Sequence, residues 1–172
     1  MERQTLTIPS RIDAETFRRF ALYDTFTRQG RWRAPALFAA ILGASAAVCF
    51  FMRDRQEGAA LLGGVLLAVG LGLPAFYIAN YLWSVRKQGR RLDSAKIAYT
   101  LHLKEAGLLV VAGQERAEFP WEGIHLACRV RGCIYIYVSP QRAFLLPDCG
   151  QSEAAWDLLL EKVPAERRQD RR

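Results

Sequence analysis

Two long stretches of this chain contain no Asp, Glu, Lys or Arg: Ala34 to Met52, and Gly58 to Val85. In a chain that is 24% charged, segregation on that scale excludes an ordinary solvated surface for those residues. Histidine is scarce, with two in 172 residues, and the four cysteines form no CxxC and no His/Cys pattern at metal-ligand spacing. HExxH, GxSxG and a phosphate-cradling glycine loop are missing as well. His102 and His125 have no acid fixed beside them, and Cys149 has no local base or basic cluster to activate it. The expectation is therefore a protein that is not an enzyme, with no catalytic residue, no cofactor and no metal ligand to name.

The uncharged runs are what is there instead. The first holds 19 residues. At 1.5 Å per residue it reaches about 28 Å, close to the roughly 30 Å of a bilayer's hydrocarbon core. The second holds 28 residues, and tilt, fraying or a kink at Pro74 can absorb the surplus. Five residues, Arg53 to Glu57, join them, which is enough for a turn and too few for a domain. The pair predicts a transmembrane helical hairpin. Ala44-Ser45-Ala46 resembles a signal cleavage site, but 33 patterned residues before the run and a second run after it contradict a signal peptide. The first run has only Ser45, and Asn80 is the only strongly polar side chain in the second, so an ion pathway has no buried ionisable group to use.

The net charge of +7 is unevenly placed. Residues 1–33 carry +3, residues 86–104 carry +5, and residues 105–172 carry −1. A nucleic-acid binder concentrates basic charge on the folded domain that makes the contacts. Here it flanks the apolar runs, which excludes nucleic acid as the natural partner and fits the rule that cytoplasmic flanks are basic. Arg28, Arg31 and Arg33 precede the first run, and Arg86, Lys87, Arg90 and Arg91 follow the second. The turn has only Arg53 and Arg55, so both termini are expected in the cytoplasm. Trp32, Tyr81 and Trp83 sit where an interfacial aromatic belt belongs on that side. Beyond topology, the four residues 86, 87, 90 and 91 are candidate contacts for anionic lipid. Small residues at steps of four, Ala60, Gly64, Ala68 and Gly72, with Ala39, Gly43 and Ala47 opposite, are candidates for close helix packing or for a homo-oligomer.

Outside the runs the pattern is that of a small folded domain. Thr5 to Ile8 alternates as a short strand before Pro9, and Asp13 can cap an amphipathic helix over Ala14 to Thr27. The apolar side of that helix has two possible seats, the β domain or the bilayer surface. Six short strands follow: 97–103, 108–112, 116–119, 124–130, 133–138 and 142–146, separated by Gly or Pro turns. They predict an antiparallel barrel or sandwich. Ser152 can cap a last helix whose Ala155, Trp156, Leu159, Leu160 and Val163 form one apolar stripe, suited to covering a barrel mouth. Residues 165–172 are almost wholly polar and read as a disordered tail.

Two apolar spans, a strand-rich domain and a final helix resemble the bacterial YcxB-like membrane proteins. So does Phe119-Pro120-Trp121-Glu122-Gly123-Ile124, which is similar to that family's aromatic–Trp–x–x–Ile segment, as do Ile134-Tyr135-Ile136-Tyr137 and Phe144-Leu145-Leu146-Pro147. Asp148 departs from the basic residue that often follows the last proline in the family. The resemblance implies a pleckstrin-homology-like β-barrel capped by one helix, carries no catalytic residue, and places the protein in the bacterial cytoplasmic membrane. The expected organisation is an α+β membrane protein: residues 1–33 a strand and amphipathic helix, 34–85 the hairpin (34–52 and 58–85), 95–164 the cytoplasmic β domain. The expected role is a membrane-anchored binding or scaffolding module for a protein partner or anionic lipid. The alternative is a structural or regulatory subunit that joins a larger complex through its hairpin.

Overall fold

A computed structural model describes residues 6–54, 56–95, 98–130 and 132–171. Thr5 and Ile97, expected as the first residues of two strands, lie outside the described residues, as do Arg55 and Arg131 of two turns. The chain is α+β and divides into two compact units, one of residues 1–17 with 90–172 and one of residues 18–89.

The first unit holds two four-stranded sheets. One is ordered β1-β2-β3-β4, from β1 (Leu6–Arg11), β2 (Ala98–Lys104), β3 (Gly107–Ala112) and β4 (Glu115–Pro120). The other is ordered β7-β6-β5-β8, from β5 (Leu126–Val130), β6 (Cys133–Ser139), β7 (Arg142–Pro147) and β8 (Arg168–Arg171). Period-two alternation sets the first sheet's inner face: Ile8, Tyr99, Leu101, Leu103, Leu108 and Val110 are buried. The chain turns between β3 and β4 on Gly113, whose φ of 62° suits a residue without a Cβ. Pro120 and the single 3₁₀ turn Trp121–Gly123 then carry it out of the first sheet into the second. α4 (Ser152–Lys162) lays Ala155, Trp156 and Leu159 into the same core as Trp121, Ile124, Ile134, Ile136 and Leu146.

Three expectations change here. The first strand does not stop at Pro9 but runs to Arg11, paired antiparallel with β2 from Leu6↔Leu103 to Arg11↔Ala98. Proline is tolerated because β1 is an edge strand, where one missing donor breaks no central ladder. The strands do not close into one barrel among the described residues. β1 and β2 meet β7 through side chains: Ser10 Oγ of β1 donates to the Leu145 carbonyl at 2.7 Å and Tyr99 Oη of β2 to the same oxygen at 2.6 Å. Finally, part of the polar tail forms a strand. Arg168–Arg171 pairs parallel with β5, from Ala127↔Arg168 to Val130↔Arg171, which makes β8 a strand built on main-chain bonds rather than on apolar burial.

The second unit contains two long helices, α2 (Arg33–Phe51) and most of α3 (Ala59–Ala95), both long and apolar enough to cross a membrane. Ahead of them, α1 (Ala14–Leu22) starts on Asp13, whose Oδ1 accepts from the Thr16 amide at 2.7 Å. It passes into a π-helical turn, Tyr23–Arg28. That turn and the end of α1 grip α3: Thr25 Oγ1 and Tyr81 Oη are 2.6 Å apart, Tyr81 Oη donates to the Ala21 carbonyl of α1 at 2.8 Å, and Phe26 meets the Tyr81 ring edge-on at 5.3 Å. The segment entering the first apolar helix is thus tied to the second, a seat the sequence reading did not consider.

Candidate functional site

The four basic residues nominated for lipid contact share one helix. α3 runs unbroken through Pro74 to Ala95, 37 residues or about 55 Å. Arg86, Lys87, Arg90 and Arg91 lie in its last third and are exposed. At 100° per residue, 86 and 90 are stacked one turn apart, as are 87 and 91, so the four cover a single arc of about 140°. Lys87 Nζ lies 5.6 Å from the centroid of the Trp83 ring, within cation–π range. Trp83 itself is 65% exposed, and Trp32 at the start of α2 is 53% exposed, so the two large aromatics face outward.

The small-residue stripe is not where the hairpin closes. Ala60, Gly64, Ala68 and Gly72 are exposed, and a methyl group added at Gly64 or Gly72 would meet nothing within 4 Å. Gly63 and Gly70 take that role. A methyl at Gly63 would lie 3.2 Å from the Ala46 carbonyl oxygen and from Cys49 Cβ, and one at Gly70 would lie 2.9 Å from Leu42 Cβ. Ala46, fully buried, marks the same seam on α2. The physical reason is periodicity. Steps of four advance 40° around a helix each time, so such a stripe winds away from a neighbour. Gly63 and Gly70 are one heptad apart and stay on one face, as a packed antiparallel pair requires.

Most of the side chains weighed for chemistry have structural partners. His102 Nδ1 is 3.0 Å from Thr7 Oγ1 across the β1–β2 pair, and His125 is exposed. Trp121 is buried, and its Nε1 donates to the carbonyls of Lys104 and Glu105 at 3.1 Å. Cys128 and Cys133 are buried, Cys149 is exposed, and none is in a disulfide. An open hollow of about 140 Å³ is lined by Arg129, Cys133, Asp148 and Ser152. Arg129 is engaged there by both carboxylate oxygens of Glu153, which hold its pKa above the ordinary value, and Ser152 Oγ accepts from the Cys149 amide at 2.7 Å. Among the described residues no group of three or more His, Cys, Asp or Glu gathers for a metal ion. Burial pushes the Tyr99 hydroxyl up to about 12. That group ties β2 to β7.

Compared with protein families, curated proteins and solved structures, the chain matches none.

What sequence reasoning missed is the Tyr81 tie and the strand within the tail. The first had a signal in Thr25 and Tyr81, two hydroxyls beside apolar runs that each need a partner. The second had none, since a polar strand shows no period-two pattern.

Proposed function

We propose that this protein is a membrane-anchored binding module of the YcxB-like type. In this reading α2 and α3 cross the bacterial cytoplasmic membrane as a hairpin, both chain ends are cytoplasmic, and the β unit is pleckstrin-homology-like. Its module reads anionic lipid at the membrane face through Arg86, Lys87, Arg90 and Arg91. One observation carries it: the same unbroken helix that is long and apolar enough to span continues past Val85 and presents those four side chains on one arc. A helix cannot bend them away without breaking its own hydrogen bonds, so they emerge together in the headgroup layer. Each basic residue near an anionic surface contributes about 1 kcal/mol at low salt, and the attraction fades within a Debye length.

The test uses the full chain in neutral detergent or zwitterionic nanodiscs, offered phosphatidylglycerol or phosphatidylcholine. Arg86 and Lys87 stay in place to set topology, and Arg90→Gln with Arg91→Gln is the informative change. Wild type should retain the anionic lipid preferentially, and the double variant should bind it about 30-fold more weakly at low salt, with the difference vanishing at high salt. Equal retention of both lipids by wild type would end this reading. The second reading, a subunit that joins a larger complex through its hairpin, would then lead. It has its own support in the open flank of Gly64 and Gly72, which a neighbouring helix can approach closely.

A further inference from the structure

β8 differs from the other strands in what it gives the fold. Arg168, Gln169, Asp170 and Arg171 put no buried side chain into the domain, and among the described residues none after Val163 belongs to the core. The strand is held by a four-residue parallel ladder on β5, by main-chain oxygens that receive arginines, and by the charge of Asp170 acting on Arg129. Arg167 Nη1 donates to the carbonyls of Glu122 at 2.8 Å and Ile124 at 3.2 Å, and Arg168 Nη1 donates to the Leu160 carbonyl near the end of α4. Gln169 Oε1 sits over the buried Cys128 thiol at 3.9 Å. Pro164 and the 3₁₀ turn Ala165–Arg167 stand between α4 and this strand. Lifting β8 would therefore bare the β5 edge without opening the core.

We propose that the β5 edge is a docking site for an extended, arginine-bearing peptide segment of a partner protein, and that β8 occupies it as a built-in stand-in. The seat itself states the chemistry. A free strand edge offers a ladder to any extended chain, and pockets beside it select the side chains. Here the selecting groups are three carbonyl oxygens placed for two consecutive guanidinium groups. Arginine suits them because its fixed fork of donors can reach two acceptors at once. A partner strand with an apolar residue where Gln169 lies over the buried Cys128 thiol gains burial that Gln169 does not offer, so it displaces β8 on favourable terms. The proposal does not depend on lipid binding at α3.

The experiment uses the full chain in detergent, a variant ending at Pro164, and a peptide of residues 166–171 carrying a photo-crosslinker in place of Gln169. The peptide should label β5 of the shortened chain at least ten-fold more than that of the intact chain. Its Arg167→Ala, Arg168→Ala version should lose the labelling. If the shortened chain fails to fold, judged by its circular dichroism, the full-length R167A/R168A variant serves instead, and its loosened β8 should admit the peptide. Equal labelling of intact and altered chains, or equal labelling by the alanine peptide, would overturn the proposal. So would a crosslinker at position 169 of the intact chain that joins two copies, because the occupant would then be a second copy's strand.

Discussion

Gly63 and Gly70 show how much one residue's position on a helix decides. A leucine at Gly70 would push into Leu42, whose Cβ would already lie 2.9 Å from an added methyl, so the two helices must part or shift. A leucine at Gly64 meets open space. Overpacking of this kind costs about 1–3 kcal/mol. Gly70→Leu should therefore lower the unfolding midpoint in detergent, and Gly64→Leu should leave it within error. The reverse order would put the seam on the exposed stripe after all. Tyr99 gives a second test at this scale. Its hydroxyl accepts from the Leu145 amide at 2.7 Å and donates to the Leu145 carbonyl, and burial raises its pKa from 10.0 to about 12. The folded state thus holds this proton more tightly than the unfolded chain. Its stability is fully present below pH 10.0 and is lost as pH rises to about 12, by roughly 2–3 kcal/mol at most. Tyr99→Phe should be less stable at neutral pH by about 1–3 kcal/mol, because the Leu145 amide loses its partner. Its stability should also fall less steeply than wild type between pH 10 and 12, read by denaturant unfolding.

At the scale of elements, much of the β unit was legible because its signals are local. The alternation Tyr99, Leu101, Leu103 and the apolar stripe of α4 each announce one buried face, and both appear except at Leu160, which the stripe included and which is exposed. The partition into two sheets was not legible, since it depends on the Pro120–Gly123 corner and on long-range pairing that no short window contains. Nor was the small-residue seam, because two stripes of Ala and Gly coexist on α3 and only packing chooses between them. The membership of β1 matters most for experiment. Ile8 is buried in the core and Ser10 bonds to Leu145, so the folding unit draws on both sides of the long helices. A fragment of residues 86–172 lacks that strand. It should melt without cooperativity in circular dichroism, whereas residues 1–17 joined to 90–172 by a flexible linker of about 15 residues should melt cooperatively. A cooperative melt of the shorter fragment would mean that β1 is dispensable.

For the whole molecule, the β1–β2 pairing constrains topology more tightly than charge does. Residues 6–11 and 98–104 are hydrogen-bonded neighbours, and the two long apolar helices lie between them in the chain. A sheet cannot straddle hydrocarbon, because its main-chain groups would be left without partners there. If the helices cross a bilayer, they must do so an even number of times, and both ends share one side. Only two arrangements remain. The flanks then decide between them: Arg28, Arg31 and Arg33 before α2 and Arg86, Lys87, Arg90 and Arg91 along α3 face only Arg53 and Arg55 at the turn. Both ends should be cytoplasmic and the turn periplasmic. A reporter active only outside the cytoplasm should be silent when fused after residue 172 and active when placed within residues 53–57. A reporter active only inside should give the opposite pair of readings. Two silent or two active sites would show that the helices do not form a crossing hairpin. A periplasmic signal at the C-terminal fusion with a cytoplasmic turn would keep the hairpin, invert it, and remove Arg86, Lys87, Arg90 and Arg91 from the leaflet they are proposed to read.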